Sequence, residues 1–264
     1  MDIMVCMKQV PDSEAQIRVS PDGKGIVDSD IKFVMNPYDE YAVEEALKLK
    51  EKYGGSVTLI CLGPQRAVEA IRTGLAMGAD KAIHLDDPAF VGGDAISTAK
   101  ALAAAIKGLP YDLIFCGKQA IDDDLAMVGS TLAEILGIPQ VVVVVKVELS
   151  DDRKYAMVNR QIMGGEEVIQ VPLPAVLTAQ KGLNEPRYAS LPGIMKAKKK
   201  EIKVLKAADL GLGADSTGAA GARTRIVKMF APPQRQSGKI IEGETPEEKA
   251  PKLAKLLREE AKII

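Results

Sequence analysis

Apolar and polar positions alternate in blocks along the first half of the chain. Short apolar runs are separated by stretches of about 10–15 residues in which apolar side chains recur at helical spacing. Elements that alternate in this way are joined by βαβ crossovers, so the pattern predicts an α/β fold with a doubly wound, mostly parallel sheet. The predicted strands are Ile3–Met7, Val57–Leu62, Lys81–Leu85, Leu113–Cys116 and Val141–Val147, and the predicted helices are Ala42–Lys52, Ala67–Met77, Gly93–Ile106 and Leu125–Leu136.

Three regions depart from this alternation. Residues Ile17–Val19 and Gly25–Val27 flank a turn sequence and predict a hairpin that leaves the sheet. Residues Gly211–Ala222 are rich in glycine, alanine and serine and predict a mobile loop. After Lys146 the pattern predicts an added β region, with strands at Tyr155–Arg160, Glu167–Val171 and Ala175–Thr178.

The end of the chain predicts an extended arm, residues 231–264, that follows a domain of residues 1–230. The proline-containing spacer Ala231–Gly238 is unsuited to a sheet and is expected to be extended. Thr245 and Glu248 form a capping-box sequence at the start of a helix. An isolated helix of this length is marginal in water, so we expect it to dock on a partner chain. Its apolar face would contain Ala250, Leu253, Ala254, Leu257, Ala261 and Ile264.

Composition restricts the classes of function. The 264 residues include 35 lysines and arginines against 36 aspartates and glutamates, so the net charge is −1 and gives no electrostatic case for nucleic-acid or membrane binding. We find no signal-peptide pattern and no apolar run long enough for a membrane helix, and so expect no membrane insertion. Cys6, Cys61 and Cys116 each lie near the end of an apolar run and are expected to be buried free thiols. These features predict a protein of a reducing compartment. The expected location is the cytoplasm of a prokaryote, with the mitochondrial matrix as the less favoured alternative.

Three segments follow predicted strands, at the edge of an α/β sheet where ligands bind. They are Lys8–Asp12, Leu62–Pro64 and Gly117–Asp124. The last is a glycine turn before a helix, and the free N–H groups of a helix start suit a phosphate. Its three aspartates have alternative interpretations: helix capping, a Mg²⁺ site, or hydrogen bonding to ribose hydroxyls.

Motifs of catalysis are missing from the sequence. It contains neither GxGxxG after the first strand nor GxxxxGK[ST], GxSxG or HExxH. His84, the single histidine, lies within a predicted strand and is interpreted as a satisfied or edge-strand residue. We therefore expect a binding or scaffold role with no catalytic residue in this chain.

A second segment, Leu183–Lys200, mixes apolar and charged residues and is punctuated by two prolines, Pro186 and Pro192. It is either an irregular connection anchored by its apolar groups or a protruding recognition surface with a leucine as its anchor. The residues expected to dock a partner are Leu183, Asn184, Glu185, Pro186, Arg187, Tyr188, Ile194 and Met195.

At these two segments the chain closely resembles a known family. Gly117–Asp124 is similar to the adenine-nucleotide segment of electron transfer flavoprotein beta subunits, and Leu183–Tyr188 with Ile194–Lys200 is similar to their recognition loop. Shorter matches extend the resemblance over essentially the whole chain. They are Met35–Pro37, Ala42–Ala46, Ala76–Asp80 and Pro232–Arg235.

The resemblance implies a Rossmann-like nucleotide-binding fold and a subunit that acts as an electron carrier rather than as an enzyme on its own. It implies a heterodimer with a flavin-carrying alpha subunit, which the arm embraces. AMP would play a structural part in this chain, while the alpha subunit holds FAD. Acyl-CoA dehydrogenases of fatty acid oxidation would donate electrons and a quinone reductase would accept them, with Leu183 as the anchor of the dehydrogenase.

The resemblance also implies which residues contact AMP, and it leaves alternatives. Members of the electron-bifurcating type hold a second FAD in this site, and Ala126 and Val128–Gly129 resemble that type, whereas Asp123 resembles the AMP type. Gln161 stands where some relatives have a glutamate that pairs with the alpha subunit. A stand-alone nucleotide-binding sensor is a further alternative. The expected AMP contacts are Cys6, Asn36, Pro37, Tyr38, Asp39, Leu62, Gly117, Lys118, Gln119, Ala120, Ile121, Asp122, Asp123, Asp124, Leu125, Ala126, Met127 and Val128.

Overall fold

Parallel strands form the centre of the protein, as the alternating pattern predicts. The computed structural model describes residues 1–233 and 237–264. Within these residues the strands are β1 (Asp2–Met7), β2 (Gln9–Pro11), β3 (Phe33–Met35), β4 (Ser56–Leu62), β5 (Lys81–Leu85), β6 (Leu113–Gly117), β7 (Gln140–Leu149), β8 (Tyr155–Ile162), β9 (Gly165–Pro172), β10 (Ala175–Ala179) and β11 (Ile202–Leu205). The helices are α1 (Pro37–Tyr53), α2 (Val68–Met77), α3 (Ala95–Ile106), α4 (Val128–Leu136), α5 (Leu191–Lys199), α6 (Gly218–Gly221) and α7 (Pro246–Glu259).

The main sheet of the described chain contains nine strands in the order β11-β5-β4-β1-β6-β10-β7-β8-β9. The strands from β11 to β7 are parallel, while β8 and β9 continue the sheet in antiparallel pairing. The chain builds outward from β1 through β4 to β5 and then returns to the other side of β1 with β6. The predicted α/β class is confirmed, and the order reverses between β1 and β6.

Both faces of the parallel strands are apolar because helices cover each of them. In β1, Ile3 and Val5 join a buried cluster with α1 and α2, and Met4 and Cys6 join a second cluster with α3 and α4. Helix α4 packs very closely on β10. A Cβ atom at Gly129 would lie 2.6 Å from Thr178 Cγ2, so only glycine fits there.

The excursion after β1 contains the expected hairpin. Val19 and Ile26 form an antiparallel bridge across its turn. The sequence did not predict the small antiparallel sheet in which β2 pairs with β3. Strands of three residues are too short to show a hydrophobic period, which is why this sheet was missed.

The predicted start of the fourth helix is wrong. Helix α4 begins at Val128, not at Leu125. Asp124 and Ala126 have left-handed φ angles of 50° and 51°, which a right-handed helix cannot include. Residues 118–127 therefore form a tight loop between β6 and α4, and this loop is called the acidic loop below.

The segments after β10 also differ from the prediction. Helix α5 occupies the second half of the expected recognition loop, and its Ser190 cap accepts a hydrogen bond from Gly193 N at 3.1 Å. No helix was predicted here from the sequence, although Pro192 suits the first turn of one. Residues 211–222 contain the short helix α6, and Thr217 and Gly218 are buried rather than belonging to an exposed mobile loop.

The chain divides into two compact units, Met1–Lys228 and Met229–Ile264. In the second unit, Thr245 caps α7 by accepting a hydrogen bond from Glu248 N at 3.4 Å. In a capping box the Glu248 carboxylate would accept from Thr245 N. Here it accepts from the preceding residue, Glu244 N, at 3.1 Å. The helix ends at Glu259, so the predicted apolar face does not extend to Ala261 and Ile264.

Part of the predicted spacer, residues 234–236, lies outside the described residues. The neighbouring residues 231–233 and 237–238 belong to neither a helix nor a strand. Across the described ranges, no helix has the length and apolar character needed to cross a membrane.

Candidate functional site

A cavity of about 290 Å³ opens at the carboxyl ends of the parallel strands, where the strand order reverses between β1 and β6. Ligands of open α/β sheets bind at such reversal points. Thirteen of the predicted contacts line the cavity: Cys6, Asn36, Asp39, Leu62, Gly117, Lys118, Gln119, Ala120, Asp123, Leu125, Ala126, Met127 and Val128. The other five, Pro37, Tyr38, Ile121, Asp122 and Asp124, do not line it.

One wall of the cavity was missed by sequence reasoning. It is formed by Phe90, Gly92–Asp94, Thr98 and Leu102, which follow β5 and begin α3. A signal for this wall was present in the sequence. Gly92 and Gly93 precede a helix after a strand, which is the arrangement that identified Gly117.

A buried carboxylate joins the two strand ends at the base of the site. Asp39 is 4% exposed, and its two oxygens accept from Lys8 N at 2.7 Å and Gly117 N at 2.9 Å. Burial raises the pKa of Asp39 to about 7, although both N–H bonds favour its charged form. Because α1 provides this carboxylate from its first turn, the helix start is fixed to both strands.

Gly117 permits this close approach of α1. A Cβ atom at position 117 would lie 2.8 Å from Tyr38 Cβ and would also overlap the Asp39 carboxylate. Glycine is therefore required here by contact with the helix backbone and its first turn.

The acidic loop is held by side chains from outside it. Asn36 donates to Gln119 O at 2.9 Å and accepts from Ile121 N at 3.2 Å. Lys8 Nζ lies 2.8 Å from Asp122 Oδ1 and 3.0 Å from Asp123 Oδ2.

These contacts test two of the interpretations of the three aspartates. None of them caps α4, because Asp122 and Asp123 share Lys8 and Asp124 accepts from Gln119 Nε2 at 2.6 Å. The capping interpretation is therefore wrong. Nor do three or more His, Cys, Asp or Glu residues within the described ranges form a group that could hold a metal ion.

Two helix starts line the cavity, and they differ in their caps. At α3, the Asp94 carboxylate accepts from Ile96 N and Ser97 N, both at 3.0 Å. At α4, no described side chain caps the helix, so its first N–H groups are open to an anion. Gly129, in the first turn of α4, lines the cavity.

Asp94 also fixes the segment that follows α6. Its second oxygen accepts from Thr224 N at 3.0 Å and from Arg223 N at 2.6 Å. Burial alone would raise the pKa of Asp94, but the N–H bonds from Ser97, Arg223 and Thr224 outweigh it and lower the pKa to about 2. The carboxylate is charged at neutral pH and is committed to the fold rather than to a ligand.

The titratable groups near the strand ends are suited to packing rather than to catalysis. All three cysteines are buried free thiols, as predicted, and burial raises the pKa of Cys61 to about 12. His84 is completely buried, with Nε2 2.9 Å from Gly63 O. It lies on β5 between β4 and β11, so the edge-strand alternative is wrong. The satisfied alternative holds for Nε2 alone, because the buried Nδ1 has no hydrogen-bond partner among the described residues.

The predicted docking segment divides into an anchored half and an exposed half. Arg187 binds Glu44 through Nε at 2.8 Å and Nη2 at 2.9 Å, and Asn184 Nδ2 donates to Glu45 at 2.9 Å. Leu183 is only 8% exposed and belongs to the core. The prediction that Leu183 is an exposed anchor is therefore wrong. The bonds of Asn184 and Arg187 to α1 hold this part of the chain, including Leu183, against the domain.

The exposed half consists of apolar side chains on and before α5. Tyr188 is 99% exposed, Leu191 81% and Met195 61%, and Ile194 is also exposed. These residues form the apolar patch of α5, the name used below. Leu191, not Leu183, is the leucine that this segment presents to solvent.

Comparison with known proteins identifies the family. Residues 24–210 match the family model described as the electron transfer flavoprotein domain. The electron transfer flavoprotein subunit beta of Thermoanaerobacterium thermosaccharolyticum is 46% identical, with 92% of this chain and 93% of that protein covered. The chain belongs to the electron transfer flavoprotein beta-subunit family. The corresponding subunit of Bacillus subtilis is 42% identical, with all of both chains covered.

A relative that belongs to a different complex is similar to this chain over nearly its whole length. The caffeyl-CoA reductase-Etf complex subunit CarD of Acetobacterium woodii is 40% identical, with 98% of each chain covered. A beta subunit of an electron transfer flavoprotein implies an alpha-subunit partner and a part in flavin-related electron transfer. The resemblance found in the sequence is confirmed at the level of the family.

Proposed function

We propose that this chain is the electron-carrier beta subunit that holds AMP in the cavity between β1 and β6 and pairs with an FAD-carrying alpha subunit. The open start of α4 carries the proposal, since its free N–H groups form an anion site inside a cavity at the strand reversal. The AMP phosphate would lie at Val128 and Gly129. The bound flavin of the alpha subunit would supply the redox chemistry.

The adenosine part of AMP would lie between the acidic loop and the wall that begins α3. Gln119 and Ala120 offer polar backbone atoms on one side, and Phe90 and Leu102 offer apolar contact on the other. The cavity volume of about 290 Å³ lies just below the range of roughly 300–1,000 Å³ for ligand sites, which favours a mononucleotide over a larger ligand.

A second FAD in place of AMP is the alternative, and two observations favour it. Ala126 and Val128 place small side chains in the cavity lining, which would leave room for a longer flavin nucleotide, and the neighbouring Leu125 and Met127 are exposed at 49% and 44%. The Acetobacterium relative belongs to a complex named for caffeyl-CoA reductase. In this alternative the beta subunit contributes to catalysis.

The decisive experiment is to co-express the chain with its alpha subunit, denature the purified heterodimer and quantify the released nucleotides. One AMP and one FAD per heterodimer are expected. Two FAD without AMP would establish the alternative. A chain that neither pairs nor holds a nucleotide would contradict both, and would favour a sensor that functions alone.

We propose further that the apolar patch of α5 docks an acyl-CoA dehydrogenase-type partner, so that the flavin of the alpha subunit can receive electrons and deliver them to a quinone reductase. Four large apolar side chains exposed on one short segment are typical of a contact surface. The bonds from Arg187 and Asn184 to α1 hold this surface in place. The beta subunit would therefore serve electron transfer by positioning the dehydrogenase near the flavin of the alpha subunit.

Leu191→Ala should slow electron transfer from the dehydrogenase by at least about tenfold, because an exposed apolar anchor contributes strongly at an interface. The unfolding temperature should stay unchanged, since Leu191 is 81% exposed. The measurement is flavin reduction in the heterodimer against dehydrogenase concentration, with an acyl-CoA dehydrogenase as donor.

Leu183→Ala is the matched control for this prediction. Leu183 is 8% exposed, so its truncation should destabilise the fold by about 2–5 kcal/mol without removing an interface anchor. If the two variants exchanged their effects, with Leu183→Ala impairing docking alone, the docking assignment of Leu191 would be wrong.

A further inference from the structure

Lys8 connects the end of β1 to the acidic loop. Its backbone N–H donates to Asp39 at 2.7 Å, and its Nζ donates to Asp122 at 2.8 Å and Asp123 at 3.0 Å. The side chains of Lys8 and Asp123 are each 41% exposed, and both residues line the cavity. This lysine therefore belongs to the part of the cavity lining that is partly exposed to solvent.

The acidic loop adopts a conformation that its own residues disfavour. Asp124 and Ala126 have left-handed φ angles, and alanine in particular is rare there. Outside contacts must hold such a loop. Asn36 holds its first half at Gln119 and Ile121, and Lys8 holds its centre.

Charge gives Lys8 a second role. Asp122, Asp123 and Asp124 are consecutive carboxylates in the loop that leads to the open start of α4, where the phosphate is expected, and Asp123 lines the cavity. Without a cation they would repel that phosphate. Lys118, the other lysine of the cavity wall, lies with Nζ 5.0 Å over the Tyr38 ring.

We propose that Lys8 is a positioning residue for the nucleotide, which holds the acidic loop as a wall of the cavity and cancels the charge of Asp122 and Asp123. The inference rests on the proposed nucleotide site. Burial alone would lower the pKa of Lys8, but its bonds to Asp122 and Asp123 raise the pKa, so the lysine is charged at neutral pH.

The test is the exchange of bound nucleotide for labelled AMP in the heterodimer. Lys8→Gln should exchange about tenfold faster, because uncompensated carboxylates repel the phosphate. High salt should slow exchange in this variant, since screening weakens repulsion. A purely structural role would not give that sign of salt dependence.

Three further variants separate charge from folding. Lys8→Arg should exchange like the wild type. Lys8→Gln combined with Asp122→Asn and Asp123→Asn should recover slow exchange, because the repelling charges are gone. Lys32→Gln is the matched control, since Lys32 pairs with Asp12 at 3.2 Å in an exposed ion pair and is absent from the cavity lining.

The outcomes distinguish this inference from the function on which it rests. A wild-type heterodimer that holds no nucleotide would overturn both. A wild type that holds AMP and a Lys8→Gln variant with unchanged exchange would overturn the role of Lys8 alone. Fast exchange that responds neither to salt nor to the two asparagine substitutions would overturn it as well. If Lys8→Gln failed to assemble, the arginine and triple variants would still decide between these results.

Discussion

Gly117→Ala should abolish nucleotide retention and lower the stability of the chain by roughly 3 kcal/mol, a value at the upper end of overpacking costs. The added methyl group would meet Tyr38 Cβ at 2.8 Å and overlap the Asp39 carboxylate. Neither neighbour can retreat easily, because Tyr38 belongs to the first turn of α1 and Asp39 accepts two backbone N–H bonds. Displacing them would open the base of the cavity.

Thermal unfolding and nucleotide content of the heterodimer together measure this effect. Gly165→Ala is the matched control, because its added Cβ would have no neighbour within 4 Å and its φ lies outside the left-handed region. The control should unfold and bind as the wild type does. Full nucleotide occupancy in Gly117→Ala would show that the cavity does not depend on the contact between α1 and β6.

Arg187→Ala should destabilise the domain by about 3 kcal/mol, the cost of leaving a buried charge without its partner. The Glu44 side chain is 6% exposed and would keep only the bond from the backbone N–H of residue 187, at 3.1 Å. Hydrogen bonds to Glu44 and Glu51 raise the pKa of the Arg187 guanidinium, so the arginine stays charged throughout the neutral range. Docking should weaken too, since the segment before α5 would keep the side-chain bond of Asn184 to α1 but lose that of Arg187.

The expected fall in unfolding temperature is about 6–12 °C. Lys198→Ala removes an exposed cation from the same segment and should change it little. Arg187→Lys should recover only part of the loss, because an ammonium lacks the planar fork of N–H groups by which the guanidinium binds both Glu44 and Glu51. An unchanged unfolding temperature in Arg187→Ala would mean that Glu44 is solvated when the arginine is absent.

The parallel sheet could be predicted from the sequence because its signal is local. Buried strands such as β4 and β6 are continuous apolar runs, and the helices between them repeat at 3.6 residues. The segments of the cavity could be predicted for a related reason. Ligands lie at the carboxyl ends of strands, so the position of Gly117 directly after an apolar run predicted a ligand site there.

The remaining errors concern contacts between distant parts of the chain. A capping pattern suggested that Asp122–Asp124 begin a helix. Instead, Lys8 forms ion pairs with Asp122 and Asp123, although it lies more than a hundred residues earlier in the chain. Leu183 and Leu191 look alike in the sequence. Only the bonds of their neighbours to α1 decide which leucine is buried and which is exposed.

Helix α1 contacts both the cavity and the docking segment. Asp39 contacts the strand ends from its first turn, and Glu44 binds Arg187 about one turn later. Each residue turns an α-helix by about 100°, so inserting one residue between these positions would rotate Glu44 away from Arg187 while leaving Asp39 in place. The rotation of α1 therefore fixes the position of the cavity contact and of the docking contact together. Insertions during evolution are tolerated far better in the loops around α1 than within the helix itself.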